Sequence, residues 1–296
     1  MTVFQSVSLA DTLIVRPRAR GFRLRVRYED AAVARPSRSR KVASDRASSP
    51  KLAKRAGRSS RVPAGADNLV LRAARLAART LGVVRGADFE LIKRIPVQAG
   101  MGGGSADAAA AVIGIARLNG LRLGAVQKLA LATALGSDVP FAIRGGTAIG
   151  RGRGELLAPV RLDRRFRAVV AMPAWGISTR AAFARIDRAK YGLTRWRATL
   201  RFAKNLDRNI VSIDDALRFG NSFERVLGDR GRDFVSLCGR LEASGARHPR
   251  MTGSGSAVFA VLPPDVAARH VLAHFVGPER LFFVRSVPGG MLVTRI

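Results

Sequence analysis

The stretch Gly100-Met101-Gly102-Gly103-Gly104-Ser105, which runs at once into alanines at 108–111, limits this chain more than any other. Glycine weakens regular structure and alanine is the best helix former, so the change marks the start of a helix. A helix start leaves backbone N–H groups unpaired and carries partial positive charge. Glycines just before it let the backbone approach an anion closely. A strand over 89–95, a bend opened by Pro96 and a helix over 105–118 together make a phosphate cradle. Ser105 caps that helix or turns its hydroxyl toward a phosphate oxygen. The plainer alternative is a glycine turn with a cap. No Lys-Ser/Thr follows the glycines, so this is not a P-loop, and the third glycine of the dinucleotide fingerprint is missing.

The remaining pattern places the cradle in an α+β protein. Alternation predicts strands over 3–9 and 22–28, the second with Phe22, Leu24, Val26 and Tyr28 on one face and three arginines on the other. Asp67 is positioned to cap a helix carrying Leu69, Val70, Ala73, Leu76 and Ala77 at helical spacing. Further helices are predicted over 125–135, 179–188, 223–227, 234–244 and 264–275. Strands are predicted over 168–172, 257–262, 281–287 and 291–296. Asp138 falls between a helix end and a strand fixed by Pro140. Asp107 reads as an acid near a helix start with only a dipole role.

Charge is the competing signal. The formal net charge is +31, of which the stretch 35–61 supplies +9 through ten Lys/Arg against the single acid Asp45. That stretch shows neither helical nor strand period and reads as a disordered basic insertion at 33–63. Two Trp and two Tyr offer no base-stacking platform, so nucleic acid is not the expected partner. Asp11 and the lack of a basic leader argue against a secretory signal, no apolar run is long enough to span a membrane, and one cysteine makes no internal disulfide. A reducing cytoplasm is expected. His270 and His274 share a helix face, but no glutamate lies between them and no third ligand is near, so no metal site is expected.

Pro96-x-x-x-Gly100-Met101-Gly102-Gly103-Gly104-Ser105 resembles the phosphate motif of the GHMP kinases, P-x-x-x-G-L-G-G/S-S. Other segments match in order: Val3-Phe4-Gln5 with Asp11, Asp67-Asn68-Leu69-Val70, Leu135 to Phe141, Gly152-Arg153-Gly154-Glu155, Ile177-Ser178-Thr179 with Phe183, Asn221-Ser222-Phe223-Glu224, and Met251-Thr252-Gly253-Ser254-Gly255-Ser256. They are similar to the branch that phosphorylates the 2-hydroxyl of a cytidine-diphosphate-linked methylerythritol. The resemblance implies two domains. A ribosomal protein S5 domain 2-like unit (1–158) would carry the ATP cradle, and a ferredoxin-like unit would span 159–296. It implies ATP with Mg²⁺, held at Pro96, Gly100, Met101, Gly102, Gly103, Gly104, Ser105 and Ala106. Asp138 would be the base at the alcohol. Thr179, Phe183, Gly253, Ser254 and Gly255 would meet the small-molecule substrate; a core phenylalanine is the other reading of Phe183. Met101 stands for leucine, and Ala106 removes a second serine hydroxyl.

The family's opening strand, P-A-K-I-N-L, and the G-Y-H after it are missing from this sequence; a start codon assigned too late, a real truncation and a degenerate homologue are the competing accounts, and an incomplete gene model is the favoured one. A homoserine or mevalonate kinase, or an inactive homologue that binds polyanions through its basic surface, is the alternative.

Overall fold

The structure is a computed structural model that describes residues 1–32, 62–188 and 209–294. Most of the basic insertion expected at 33–63 lies outside the described residues. In chain order the first half holds β1 (Thr2–Gln5), β2 (Thr12–Arg18), β3 (Phe22–Tyr28), α1 (Leu69–Leu81), β4 (Gly86–Lys93), α2 (Gly103–Leu118), α3 (Ala125–Leu135), α4 (Val139–Arg144), β5 (Thr147–Arg151) and β6 (Leu156–Leu162). The second half holds β7 (Arg167–Met172), α5 (Thr179–Arg188), β8 (Ile210–Val211), α6 (Ile213–Phe219), a 3-10 turn (Ser222–Val226), α7 (Arg230–Ala243), β9 (Arg247–Met251), β10 (Val258–Leu262), α8 (Ala268–His274) and β11 (Arg280–Arg285).

Strands β2, β4 and β3 form one sheet in that order, with β3 parallel to β4 across the helix α1. Leu24, Phe89 and Leu91 face a core filled by Val70, Ala73, Ala74 and Ala77 of α1 and Ala108, Ala111, Val112 and Ile115 of α2. The alanines let these helices lie close. A Cβ on Gly114 would stand 2.8 Å from Val15 Cγ2, so α2 rests directly on β2. Asn68, not Asp67, caps α1: its Oδ1 accepts the Val70 N–H at 2.8 Å. Gly82 ends the helix in the left-handed region, at φ 64°.

The second sheet runs β11-β7-β10-β9, and all its pairings are antiparallel. With α7 between β7 and β9 and α8 between β10 and β11, this is the ferredoxin-like order the resemblance implied. Val169 and Ala171 of β7 face Leu237 and Leu241 of α7. Ala168 and Val170 face the other way, onto Ala99, Met101 and Ala257. That two-sided burial explains an uninterrupted apolar run where a half-exposed strand would alternate.

A third sheet, β1-β5-β6-β8, takes its strands from both ends of the first half and from the second half, and the boundary expected after residue 158 lies inside β6. Residues 5–8 are tied to the far end of the chain. Gln5 Nε2 and the Ser8 N–H donate to the carbonyls of Val287 and Arg285, each at 2.9 Å, and the Val287 N–H returns to the Ser6 carbonyl at 2.9 Å. The strand expected at 291–296 is not formed over Met291–Thr294. Gly290 is drawn against Gly145, where an added Cβ would meet the Gly290 Cα at 2.0 Å, and Leu292 stands in solvent with no strand beside it.

Candidate active site

Helix α2 begins two residues earlier than expected, at Gly103. Its cap is Gly102 in the left-handed region at φ 70°, and no side chain caps it, so Ser105 lies inside the first turn rather than at the cap. Among the described residues the N–H groups of Gly103, Gly104 and Ser105 have no hydrogen-bond partner, and the Ala106 N–H returns to the Gly102 carbonyl at 2.9 Å. Among the described residues nothing stands within 4 Å of a Cβ placed on Gly102. Three unpaired donors at a helix start, beside open space, fit a polyanionic group such as the phosphates of ATP.

The bend is fastened on its other side. A Cβ on Gly100 would stand 2.2 Å from the Thr252 carbonyl oxygen, so only glycine fits there, and its φ is 73°. Thr252 Oγ1 donates to the Gly100 carbonyl at 3.0 Å, and the Ala257 N–H donates to the Ala99 carbonyl at 3.2 Å. Met101 packs into the core beneath β7. Asn221 Nδ2 in turn holds the carbonyls of Met251 and Gly253, at 2.8 and 2.7 Å, and Glu224 Oε1 accepts the Met251 N–H at 2.8 Å. Thr179 Oγ1 and Ser254 Oγ lie 2.9 Å apart. A Cβ on Gly255 would meet Ile177 Cδ1 at 2.9 Å. The segments 96–106, 176–179, 221–224 and 251–257 therefore form one continuous surface. Phe183 is half-exposed and meets Phe223 edge to face, with ring centroids 4.9 Å apart, so it is not a core residue.

Asp138 precedes a helix, α4, and not the expected strand. Pro140 falls in the first turn, where its missing N–H leaves no bond unmade. Helix α4 packs against α2. The Asp138 carboxylate lies 3.9 Å from a Cβ placed on Gly154, and the surrounding protein, by removing water, pushes its pKa above the usual 3.8. No hydrogen bond or ion pair among the described residues joins Asp138 to the glycine bend.

Sequence reasoning missed one cluster. Lys93 at the end of β4 donates to Asp11 and, at 2.9 Å, to Asp107 Oδ2, and all three side chains are at most 5% exposed. Asp107 is thus a buried ion-pair partner just past the first turn of α2, not an acid with a dipole role alone. Burial and the nearby Asp11 charge outweigh Lys93 and push its pKa up to about 7. Burial would lower the Lys93 pKa, but the charges of Asp107 and Asp11 more than offset it, and it rises. The signal was available: Lys93 shares the inward face of β4 with Phe89 and Leu91, where a lysine needs a partner.

The fold and the glycine site define a GHMP-type kinase. The family described as the GHMP kinases N terminal domain matches residues 68–146. This chain is 45% identical to the 4-diphosphocytidyl-2-C-methyl-D-erythritol kinase of Clavibacter michiganensis, over 79% of this chain and 78% of that protein. It is 38% identical to the enzyme of that name from Pelotomaculum thermopropionicum, over 72% of this chain and 74% of that one. A crystal structure of 4-(cytidine 5'-diphospho)-2C-methyl-D-erythritol kinase superposes with a TM-score of 0.66 at 28% identity, covering 98% of this chain and 90% of its own. The chain belongs to the 4-diphosphocytidyl-2-C-methyl-D-erythritol kinase family.

Proposed function

We propose that this kinase transfers the terminal phosphoryl group of ATP to the 2-hydroxyl of 4-diphosphocytidyl-2-C-methyl-D-erythritol, in the cytoplasm. The observation that carries this reading is the uncapped start of α2, whose three free N–H groups face open space beside the bend that Thr252 grips. In this reading residues 1–158 supply the nucleotide side of the site and residues 159–296 the substrate side.

Phosphoryl transfer needs charge stabilisation and positioning more than covalent help from the protein. The N–H groups of Gly103, Gly104 and Ser105 hold phosphate oxygens. Gly100, Met101, Gly102 and Ala106 shape the bend around them, and Pro96 opens it. Asp138 accepts the proton of the attacking hydroxyl; the new O–P bond forms as the bond to the ADP oxygen breaks. A raised pKa suits that task, since a base works best when its pKa lies near the working pH. Phe183 and Phe223 offer an aromatic edge and face for the cytosine ring. Thr179, Gly253, Ser254 and Gly255 line the wall beside them. Among the described residues no group of three or more His, Cys, Asp or Glu side chains could cage a metal. In this reading Mg²⁺ would come with the nucleotide and neutralise phosphate charge, and the Ser105 hydroxyl at the start of α2 is the side chain that would hold it.

The test is ADP release with ATP and a panel of alcohols: the cytidine-linked methylerythritol, homoserine and mevalonate. The first should be turned over with a kcat/KM at least about 100-fold above the others. Preference for homoserine or mevalonate would overturn the substrate assignment. Binding of nucleic acid with no turnover of any alcohol would overturn the kinase.

A further inference from the structure

The glycine bend has a front, which faces open space, and a back, which rests on the buried charge cluster. We propose that Asp107, Lys93 and Asp11 form the positioning device that aims the start of α2 at the nucleotide. This inference rests on the nucleotide reading of that bend.

The cluster joins three elements. Asp11, just before β2, accepts the N–H groups of Arg94 and Ile95 at 2.6 and 2.9 Å through Oδ1, and Lys93 through Oδ2. Lys93, at the end of β4, reaches onward to Asp107 in α2. Gly103, the first residue of α2, lies on the same side chains: a Cβ there would stand 3.2 Å from Lys93 Nζ and 3.0 Å from Ile95 Cγ2. Asp107 follows Gly103 by four residues, about one helical turn. One ammonium therefore sits at both edges of the turn that carries the free N–H groups.

An apolar trio would fill this space at lower cost, because each buried charge loses its water. Charges give direction in exchange. Charge-assisted hydrogen bonds fix both distance and angle, whereas packed methyl groups let a helix end slide or turn. The N–H groups at the front gain most from such fixing, since small displacements of donors from a reacting group carry large rate penalties. These three residues act through the backbone and do not touch the nucleotide.

Lys93→Met would strand two carboxylates and is a poor probe. Asp107→Ala leaves a one-to-one Lys93–Asp11 pair and detaches only the helix. Asp107→Asn keeps the shape and an acceptor for Lys93. The measurements are Mg·ADP affinity by calorimetry, which needs no turnover, and KM for the alcohol that the parent protein uses. Asp107→Ala should weaken ADP binding about 10-fold or more while leaving the alcohol KM within about 2-fold, and Asp107→Asn should stay within about 3-fold of the parent for both. A folded Asp107→Ala that binds ADP as the parent does would overturn the proposal. So would equal losses with Ala and Asn, a parallel fall in both affinities, or an Asp107→Ala chain that does not fold, because each marks a general structural role. If the parent itself binds no ADP, the nucleotide reading fails and takes this inference with it.

Discussion

Asp138 and Asp107 are two carboxyls whose pKa values are both raised, for different reasons. Asp138 loses water and has no ionic partner among the described residues. Asp107 loses more, and shares one ammonium with a second carboxylate. The first suits proton transfer. Asp138→Asn should lower kcat by about 1,000-fold or more and leave Mg·ADP affinity within about 2-fold, as measured by steady-state kinetics and calorimetry. Turnover by the parent should fall as pH drops through a value above the ordinary 3.8, where Asp138 takes up a proton. The second carboxyl should show in stability. Folding raises the Asp107 pKa, so its contribution is complete below 3.8 and is lost as pH rises through about 7. Melting curves against pH should therefore show the parent losing stability relative to Asp107→Asn across that window. The sequence made Asp138 visible through a motif. It hid Asp107, because a helix acid looks the same whether it faces water or a buried lysine.

At the level of elements, two glycines in one bend do opposite jobs. Gly100 is pressed by protein, with the Thr252 carbonyl where a Cβ would go; Gly102 faces empty space. Both sit in the left-handed region, which costs an alanine about 1–3 kcal/mol. Gly100→Ala adds a backbone clash to that cost and should lower the melting temperature sharply, reducing both substrates' affinities with it. Gly102→Ala should melt only a few degrees lower and raise KM for ATP selectively, by about 10-fold, as its methyl enters the space on the ligand side. Denaturation and steady-state kinetics on the two variants separate these outcomes. Elements with one solvent face were legible from the sequence. Strand β3 has the predicted bounds 22–28, and so do helices α3 at 125–135 and α5 at 179–188. Strand β2 was not foreseen. Leu13, Ile14 and Val15 are consecutive apolar residues, each partly buried on one face or the other, so no alternation marks them. The helices expected over 223–227 and 264–275 do form, the first as a 3-10 turn at 222–226 and the second as the shorter α8, because so few turns leave the helix type and bounds undetermined by period.

For the whole molecule, the +31 charge acts as a field rather than as a site. Arg23 and Arg25 on the outer face of β3 are exposed and make no ion pair among the described residues, while Arg16, Arg18 and Arg27 pair with Glu90 and Asp88 of β4. A field of this sign draws anionic substrates toward the surface and is screened by salt. Raising ionic strength from about 0.05 to about 0.5 M should increase KM for ATP several-fold with little change in kcat. A kcat that falls in parallel would point instead to salt acting on the folded structure. Topology was legible only in part: strand order and the meeting of the two glycine bends depend on contacts between residues 150 apart, which local patterns do not encode.

The bonds between residues 5–8 and residues 285–287 also set a timetable. Strand β1 can pair with β5 once residues 147–151 exist, but residues 5–8 gain their bonds to residues 285–287 only after β11 has been made, so on the ribosome this segment stays fastened on one side alone until late in synthesis. Such distant pairing slows folding. Once closed, the segments 5–8 and 285–287 should in return resist proteolysis together, because releasing one strips the other of its bonds.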